Sequence, residues 1–146
     1  MSAPYAHIAV CVEDSPASRR ALAEAVRLRG MGPGRLSVVH AAPWPLLYTG
    51  SLGGWVPDPE DLFSQSKEWL DALVAEVGQG EAVLLTGYPP VVVVEWADEV
   101  RPDLIVVASH RGRVQRLLLG SFASYLAYHA PCPVLLVRPE PEAKPA

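Results

Sequence analysis

The stretch PVVVVEWADEVR, Pro90–Arg101, decides the fold. Four consecutive β-branched residues, Val91–Val94, favour a strand locally, because branching at Cβ stiffens χ1 and suits a pleated surface. The same stretch sets Val93, Ala97 and Val100 on one helical face. The neighbours settle the choice. Ala82–Thr86 before it and Asp103–Ala108 after it are short apolar runs of the kind buried on both faces of a sheet. Two parallel strands need a crossover, and Pro90–Arg101 is the segment available to make it. It is predicted to be a helix.

Working outward, the same alternation continues. His7–Val12 (HIAVCV) is a short, continuous, β-branched run and reads as a buried strand. Ser15 and Pro16 form an N-cap and first-turn pair, and Leu22, Ala25, Val26 and Arg29 share a helical face before Gly30, expected to be a left-handed stop. Arg35–Ala42 (RLSVVHAA) is a second buried strand. The stretch PWPLLYTGSLGGWVPDP, residues 43–59, holds proline, glycine and two tryptophans without either periodicity, so a long irregular connection is expected. Asp58 is expected to cap a helix with Pro59 at its first position, and an apolar stripe through Leu62, Trp69 and Leu73, with Phe63, Leu70 and Val77, runs to Gly78. After Asp103–Ala108, Ser121 is expected to cap a last helix through about His129. Pro131 and Pro133 block its continuation, and Val134–Arg138 reads as a fifth strand. The predicted fold is a single-domain α/β structure over residues 1–138, a doubly wound, open, five-stranded parallel sheet of order 3-2-1-4-5 with helices on both faces. Residues 139–146, PEPEAKPA, are expected to be a flexible proline-rich tail.

Composition narrows the partners. Of 146 residues, half are apolar and 19% are charged, with a net charge of −4. A chain this size buries one core. The acidic balance lacks the basic stripe that nucleic-acid binding requires, so no nucleic-acid partner is expected. No apolar run approaches the ~18 residues of a membrane span, and the first residues lack the pattern of a secretory leader. A cytoplasmic location and no membrane partner are expected. Cys11 and Cys132, the only cysteines, form no metal or redox motif and read as buried small hydrophobes. In such sheets ligands bind outside the carboxyl ends of the strands, where strand order reverses. The candidate loops therefore follow the first strand (Glu13, Asp14, Ser15), the second (Ala41, Ala42) and the fourth (Ser109 onward).

The segment Pro102–Arg138, PDLIVVASHRGRVQRLLLGSFASYLAYHAPCPVLLVR, closely resembles the carboxyl-terminal third of universal stress proteins. VEDS at Val12–Ser15 resembles that family's V-D-G-S turn, and VVHAAP resembles the end of its second strand. The resemblance runs in order over residues 5–138. It implies a five-stranded parallel sheet, homodimers formed through the last strand (Val134, Leu135, Leu136 and Val137), and either an ATP or AMP site, with Mg²⁺ as a companion, or no nucleotide at all.

Nucleotide-binding members carry G-x2-G-x9-G-[ST] after the fourth strand. Glycines let the backbone approach phosphate, and the closing Gly-Ser opens a helix whose N–H groups attract an anion. Here Gly120-Ser121 keeps the second half. In the first half Ala108 stands for the first glycine, and the second is either replaced by Arg111 or displaced to Gly112. The implied nucleotide contacts are Glu13, Ser15, Ala41, Ala108, Ser109, His110, Arg111, Gly112, Arg113, Gly120 and Ser121. Glu13 and Asp14 oppose a triphosphate unless a divalent cation intervenes, whereas Arg111, Arg113 and Arg116 favour it. The bland alternatives are an ordinary helix cap at Gly120-Ser121, solvated turns at Glu13-Asp14 and the arginines, and a satisfied core histidine at His40. Trp44, Tyr48 and Trp55 fit either an adenine cover or core packing.

His110 sits in a family-typical Ser-His pair with no partner nucleophile in view, and reads as structural. Three function classes follow from the resemblance, in this order: a nucleotide-responsive regulator with a degenerate, weakened site; a nucleotide-free protein acting through dimerisation and unidentified protein partners; and an enzyme of the wider adenine-nucleotide α-hydrolase group. The enzyme signatures S-G-G-x-D-S and H-I-G-H are missing, so at most very slow ATP hydrolysis is expected, with no catalytic residue and no protein metal site.

Overall fold

A computed structural model describes residues 4–42, 58–109 and 120–138. Nine elements alternate along them: β1 (His7–Cys11), α1 (Pro16–Arg29), β2 (Arg35–Ala42), α2 (Pro59–Val77), β3 (Glu81–Thr86), α3 (Pro89–Val100), β4 (Leu104–Ala108), α4 (Ser121–His129) and β5 (Val134–Val137). The strands form one sheet of order β3-β2-β1-β4-β5, and every pairing is parallel. The valine run of Val91–Val94 is helical, as the crossover between parallel β3 and β4 demands.

Each strand buries both faces because its alternating side chains meet different helices. Ile8, Val10, Leu36, Val38, Leu104 and Val106 pack with Ala21, Leu22 and Ala25 of α1 and Leu70 and Leu73 of α2. Ala9, Cys11, Val39, Ile105 and Val107 pack on the other side with Val93 and Ala97 of α3 and Ala123 and Leu126 of α4. Burying such side chains stabilises by roughly 1.5–3 kcal/mol each, which makes these two layers the main source of stability.

Local chemistry fixes most boundaries. Ser15 accepts the Ser18 N–H at 3.2 Å and starts α1. Asp58 accepts the Glu60 N–H at 2.9 Å, Pro59 supplies the first helical φ, and Gly78 ends α2 at φ 78°. Two expected caps are different. Gly30 closes α1 at φ −66°, right-handed, because its N–H still reaches Val26 and Leu28. Gly120, not Ser121, occupies the N-cap of α4, and Ser121 is its first helical residue. Cys132 is half-buried and Cys11 fully buried. The connection at 43–57 and the tail at 139–146 lie outside the described residues.

Candidate functional site

Strand order places the carboxyl ends of β1 and β4 side by side while their following helices depart to opposite faces. A cleft of about 360 Å³ opens there. That volume lies near the lower end of small-molecule pockets, roughly 300–1,000 Å³. Its floor is Cys11, Val39 and Val107 at the strand ends, and its walls are Val12, Val93, Pro89, Pro90 and Phe122. Glu13 and Ser18 from the α1 side, His40 and Ala41 from β2, and Gly120 and Ser121 at the start of α4 add the polar groups.

The rim after β1 is tied down by short hydrogen bonds. The Glu13 N–H donates to Ser18 Oγ at 2.9 Å, and the Ser15 N–H donates to the Glu13 carbonyl at 2.8 Å. These bonds hold the turn that carries the exposed Glu13 side chain to the cleft mouth. On the far side, Gly120 has φ 83° and ψ 151°, a region that side chains with a Cβ avoid. The Ser124 N–H makes the first turn's bond to the Gly120 carbonyl at 3.0 Å. The N–H groups of Ser121, Phe122 and Ala123 precede it and have no intrahelical acceptor.

Ladder parity gives a third polar feature. The Val12 N–H donates to the Val39 carbonyl, which turns the odd residues of β2 towards β1, while the Gly87 N–H on Ala42 O turns the even ones towards β3. The Ala41 N–H and C=O therefore face β1 just where that strand has ended. A donor and an acceptor three to four bonds apart on apolar walls can recognise the edge of a heteroaromatic base.

The residues named from sequence divide into three groups. Glu13, Ala41, Ala108, Gly120 and Ser121 line the cleft. Ser15 and Ser109 are not among the lining residues; the Ser15 hydroxyl accepts the Ser18 N–H at the start of α1, and the Ser109 N–H donates to Val137 O at 3.0 Å. His110, Arg111, Gly112 and Arg113 lie outside the described residues, as do Arg116, Trp44, Tyr48 and Trp55. Tyr88, Pro89 and Pro90 were not named as site residues from the sequence, yet they form a wall. The order β3-β2-β1 already carried that signal, since it puts the loop after β3 on the same edge. His40 was read as a satisfied core histidine; its Nδ1 is hydrogen-bonded to the Val12 carbonyl as that reading expects, but the residue is half-buried and lines the cleft.

Burial, followed by the neighbouring Cys132, pushes the Cys11 thiol up to about 12, so it stays protonated on the cleft floor. Among the described residues no group of three His, Cys, Asp or Glu side chains gathers to hold a metal, and no helix is long and apolar enough to cross a membrane.

Comparison with known proteins agrees with this geometry. Residues 4–138 match the Universal stress protein family. The universal stress protein YxiE of Bacillus subtilis is 33% identical over 143 residues, covering 88% of this chain and 96% of that protein. The universal stress protein of Archaeoglobus fulgidus, solved in complex with dAMP, superposes with a TM-score of 0.66 at 28% identity, over 90% of this chain and 97% of that one. The fold also matches UspA of Lactobacillus plantarum with a TM-score of 0.73 at 24% identity, over 94% of this chain and all of the other. The chain belongs to the universal stress protein family.

Proposed function

We propose that this protein is a cytoplasmic stress-response regulator that binds AMP or ATP in the carboxyl-edge cleft, at a weakened site, and signals by occupancy rather than turnover. The carrying observation is the cleft itself, an apolar cavity lined both by Ala41, whose N–H and C=O turn towards the end of β1, and by the first turn of α4. Adenine sits against Val12, Val39 and Val107, with its polar edge on Ala41. Phosphate meets the N–H groups of α4, where the helix dipole favours an anion. The dAMP bound by the Archaeoglobus fulgidus relative supports this ligand class.

The site is weakened because Ala108 lines the cleft where the family's phosphate motif has glycine, so a methyl group replaces open backbone. Mg²⁺ enters with the nucleotide phosphates, screening Glu13 from them. ATP turnover stays far below the typical enzyme value of about 10 s⁻¹, for a protonated Cys11 is no nucleophile. The same Ala108 methyl favours a second reading, in which nucleotide is excluded and the protein works through protein partners alone.

In either reading two copies pair through β5. Its four residues are all half-buried at the sheet edge. A thermal-shift titration with AMP, ATP and ATP with Mg²⁺ separates the readings. Ligand at a hundred times its Kd adds about 2.7 kcal/mol of stability, and an unmoved transition at millimolar nucleotide leaves the nucleotide-free protein.

A further inference from the structure

The parallel ladder between β1 and β2 stops one hydrogen bond early, and a side chain occupies the last place. After the Val12 N–H has donated to Val39 O at 2.8 Å, regular pairing would bring the Ala41 N–H to the Val12 carbonyl. Instead Val12 O takes its bond from His40 Nδ1 at 2.7 Å. A carbonyl has no proton to give, so Nδ1 carries the hydrogen and Nε2 is the second nitrogen of the ring. The imidazole is itself held edge-on against Trp69 of α2, with centroids 4.9 Å apart and planes at 67°.

We infer that His40 is the positioning residue of the nucleotide cleft, its Nδ1–H capping Val12 O so that β1 and β2 part and the Ala41 N–H is released to the ligand. This inference rests on the nucleotide reading for its consequence and on the ladder for its geometry. A buried carbonyl left without a donor is destabilising, so the Val12 oxygen needs a partner. If the ladder supplied the donor, the Ala41 N–H would be consumed and the strands would close over the place where a base edge has to enter. With the imidazole supplying it, both groups are satisfied in their separate roles. Trp69 packs edge-on against the ring and supports this orientation. His40 touches the backbone rather than the ligand in this arrangement, so its effect on binding passes through Ala41.

Two substitutions with the same branched heavy-atom shape isolate the donor. Both His40→Asn and His40→Leu lose the ring contact with Trp69, but Asn keeps an N–H near the position of Nδ1 and Leu does not. In ligand-free protein, amide hydrogen exchange at Ala41 is expected to be fast in wild type and in His40→Asn, and at least tenfold slower in His40→Leu as the ladder zips by one bond. Calorimetry with adenosine and with AMP is expected to show about a 3- to 10-fold loss of affinity for His40→Leu with both ligands, and recovery to within about 3-fold for His40→Asn. Equal Ala41 exchange in the three proteins overturns the inference, as does an Asn variant that binds as weakly as Leu. Exchange rates that split as expected, in a wild type that binds no adenosine or AMP at millimolar concentration, uphold the role of His40 in the ladder and count against the nucleotide reading instead.

Discussion

The Nε2 atom of His7 and the hydroxyl oxygen of Ser37 lie 2.7 Å apart at the amino edge of the sheet, opposite the cleft. Ser37 donates in turn to Glu81 Oε1 at 3.1 Å, and Arg35 bonds the same carboxylate. Since the hydroxyl proton goes to Glu81, the His7 nitrogen donates to Ser37, which fixes a proton on Nε2. The Trp96 ring of α3 stands edge-on to His7, 6.3 Å away, and Asp103 accepts the His7 main-chain N–H at 2.8 Å.

Acid should therefore loosen the protein in two stages. Burial first, and then the Arg35 charge, hold His7 below its ordinary value near 6.5. The unfolded chain binds that proton more readily, so stability is full above about 6.5 and falls as pH drops from there to the folded value. The Arg35 hydrogen bond lowers Glu81, whose contribution is present above the ordinary carboxyl range and is lost as pH falls through its folded value. Half of the Glu81 side chain is exposed, which keeps its share small. Urea midpoints measured from pH 7 to pH 5 should decline in wild type and decline less steeply in His7→Asn. Parallel slopes would show that His7 titrates as it does unfolded.

Arg29 should behave as a structural pin. It is 5% exposed, and its guanidinium donates to the carbonyls of Tyr5 and Ala6 on one side and of Gly32 and Pro33, both at 2.6 Å, on the other. Arg29→Met strands several partly buried acceptors and is expected to cost about 2 kcal/mol or more. Gly34 belongs to the same construction. At φ 153° an added Cβ would stand 2.1 Å from Ala6 O and 2.6 Å from the Arg29 guanidinium carbon. Gly34→Ala should cost about 1–3 kcal/mol. The double variant should fall short of the sum, because both changes disturb the same carbonyls. Full additivity in denaturant melts would show two separate defects.

Ladder parity also says how β5 would pair. The Ile105 N–H donates to Pro133 O and the Ser109 N–H to Val137 O, so odd residues of β5 face β4. The main-chain groups of Val134 and Leu136 then face outward along an open edge, the geometry that recruits another strand. Leu136→Asp should shift a dimer to monomer in sedimentation at micromolar concentration while circular dichroism stays native. A wild type that sediments as a monomer contradicts pairing at this edge.

The fold was legible because its punctuation is strong. Asp58-Pro59 and Gly78 bracket α2 as read, β2 runs Arg35–Ala42 as read, and connectivity rather than propensity settled Val91–Val94. Gly30 misled because a glycine at a helix end permits the left-handed state without requiring it. Ser121 misled for a related reason, since Gly120 already supplies the turn that a capping side chain would serve. At the site, Glu13 and Ala41 were findable from strand ends and Ala108 from the glycine motif it interrupts, while the Ser15 hydroxyl accepts the Ser18 N–H, as its reading as the α1 cap expects. His40 escaped because a histidine in an apolar strand looks satisfied. Its partner, the Val12 carbonyl, becomes visible only when the ladder is counted bond by bond.

An adenine nucleotide is expected to occupy the cleft between the ends of β1 and β4. Amide chemical-shift mapping during an AMP titration tests it most directly. The expected result is saturable movement confined to Val12, Glu13, Ala41, Ala108 and the first turn of α4 from Gly120 to Ala123. Amides of the opposite edge at Gly34, Arg35 and Gln79–Glu81, where a smaller cavity of about 260 Å³ opens, should stay still. No movement at millimolar AMP, or movement centred on that opposite edge, would contradict the account.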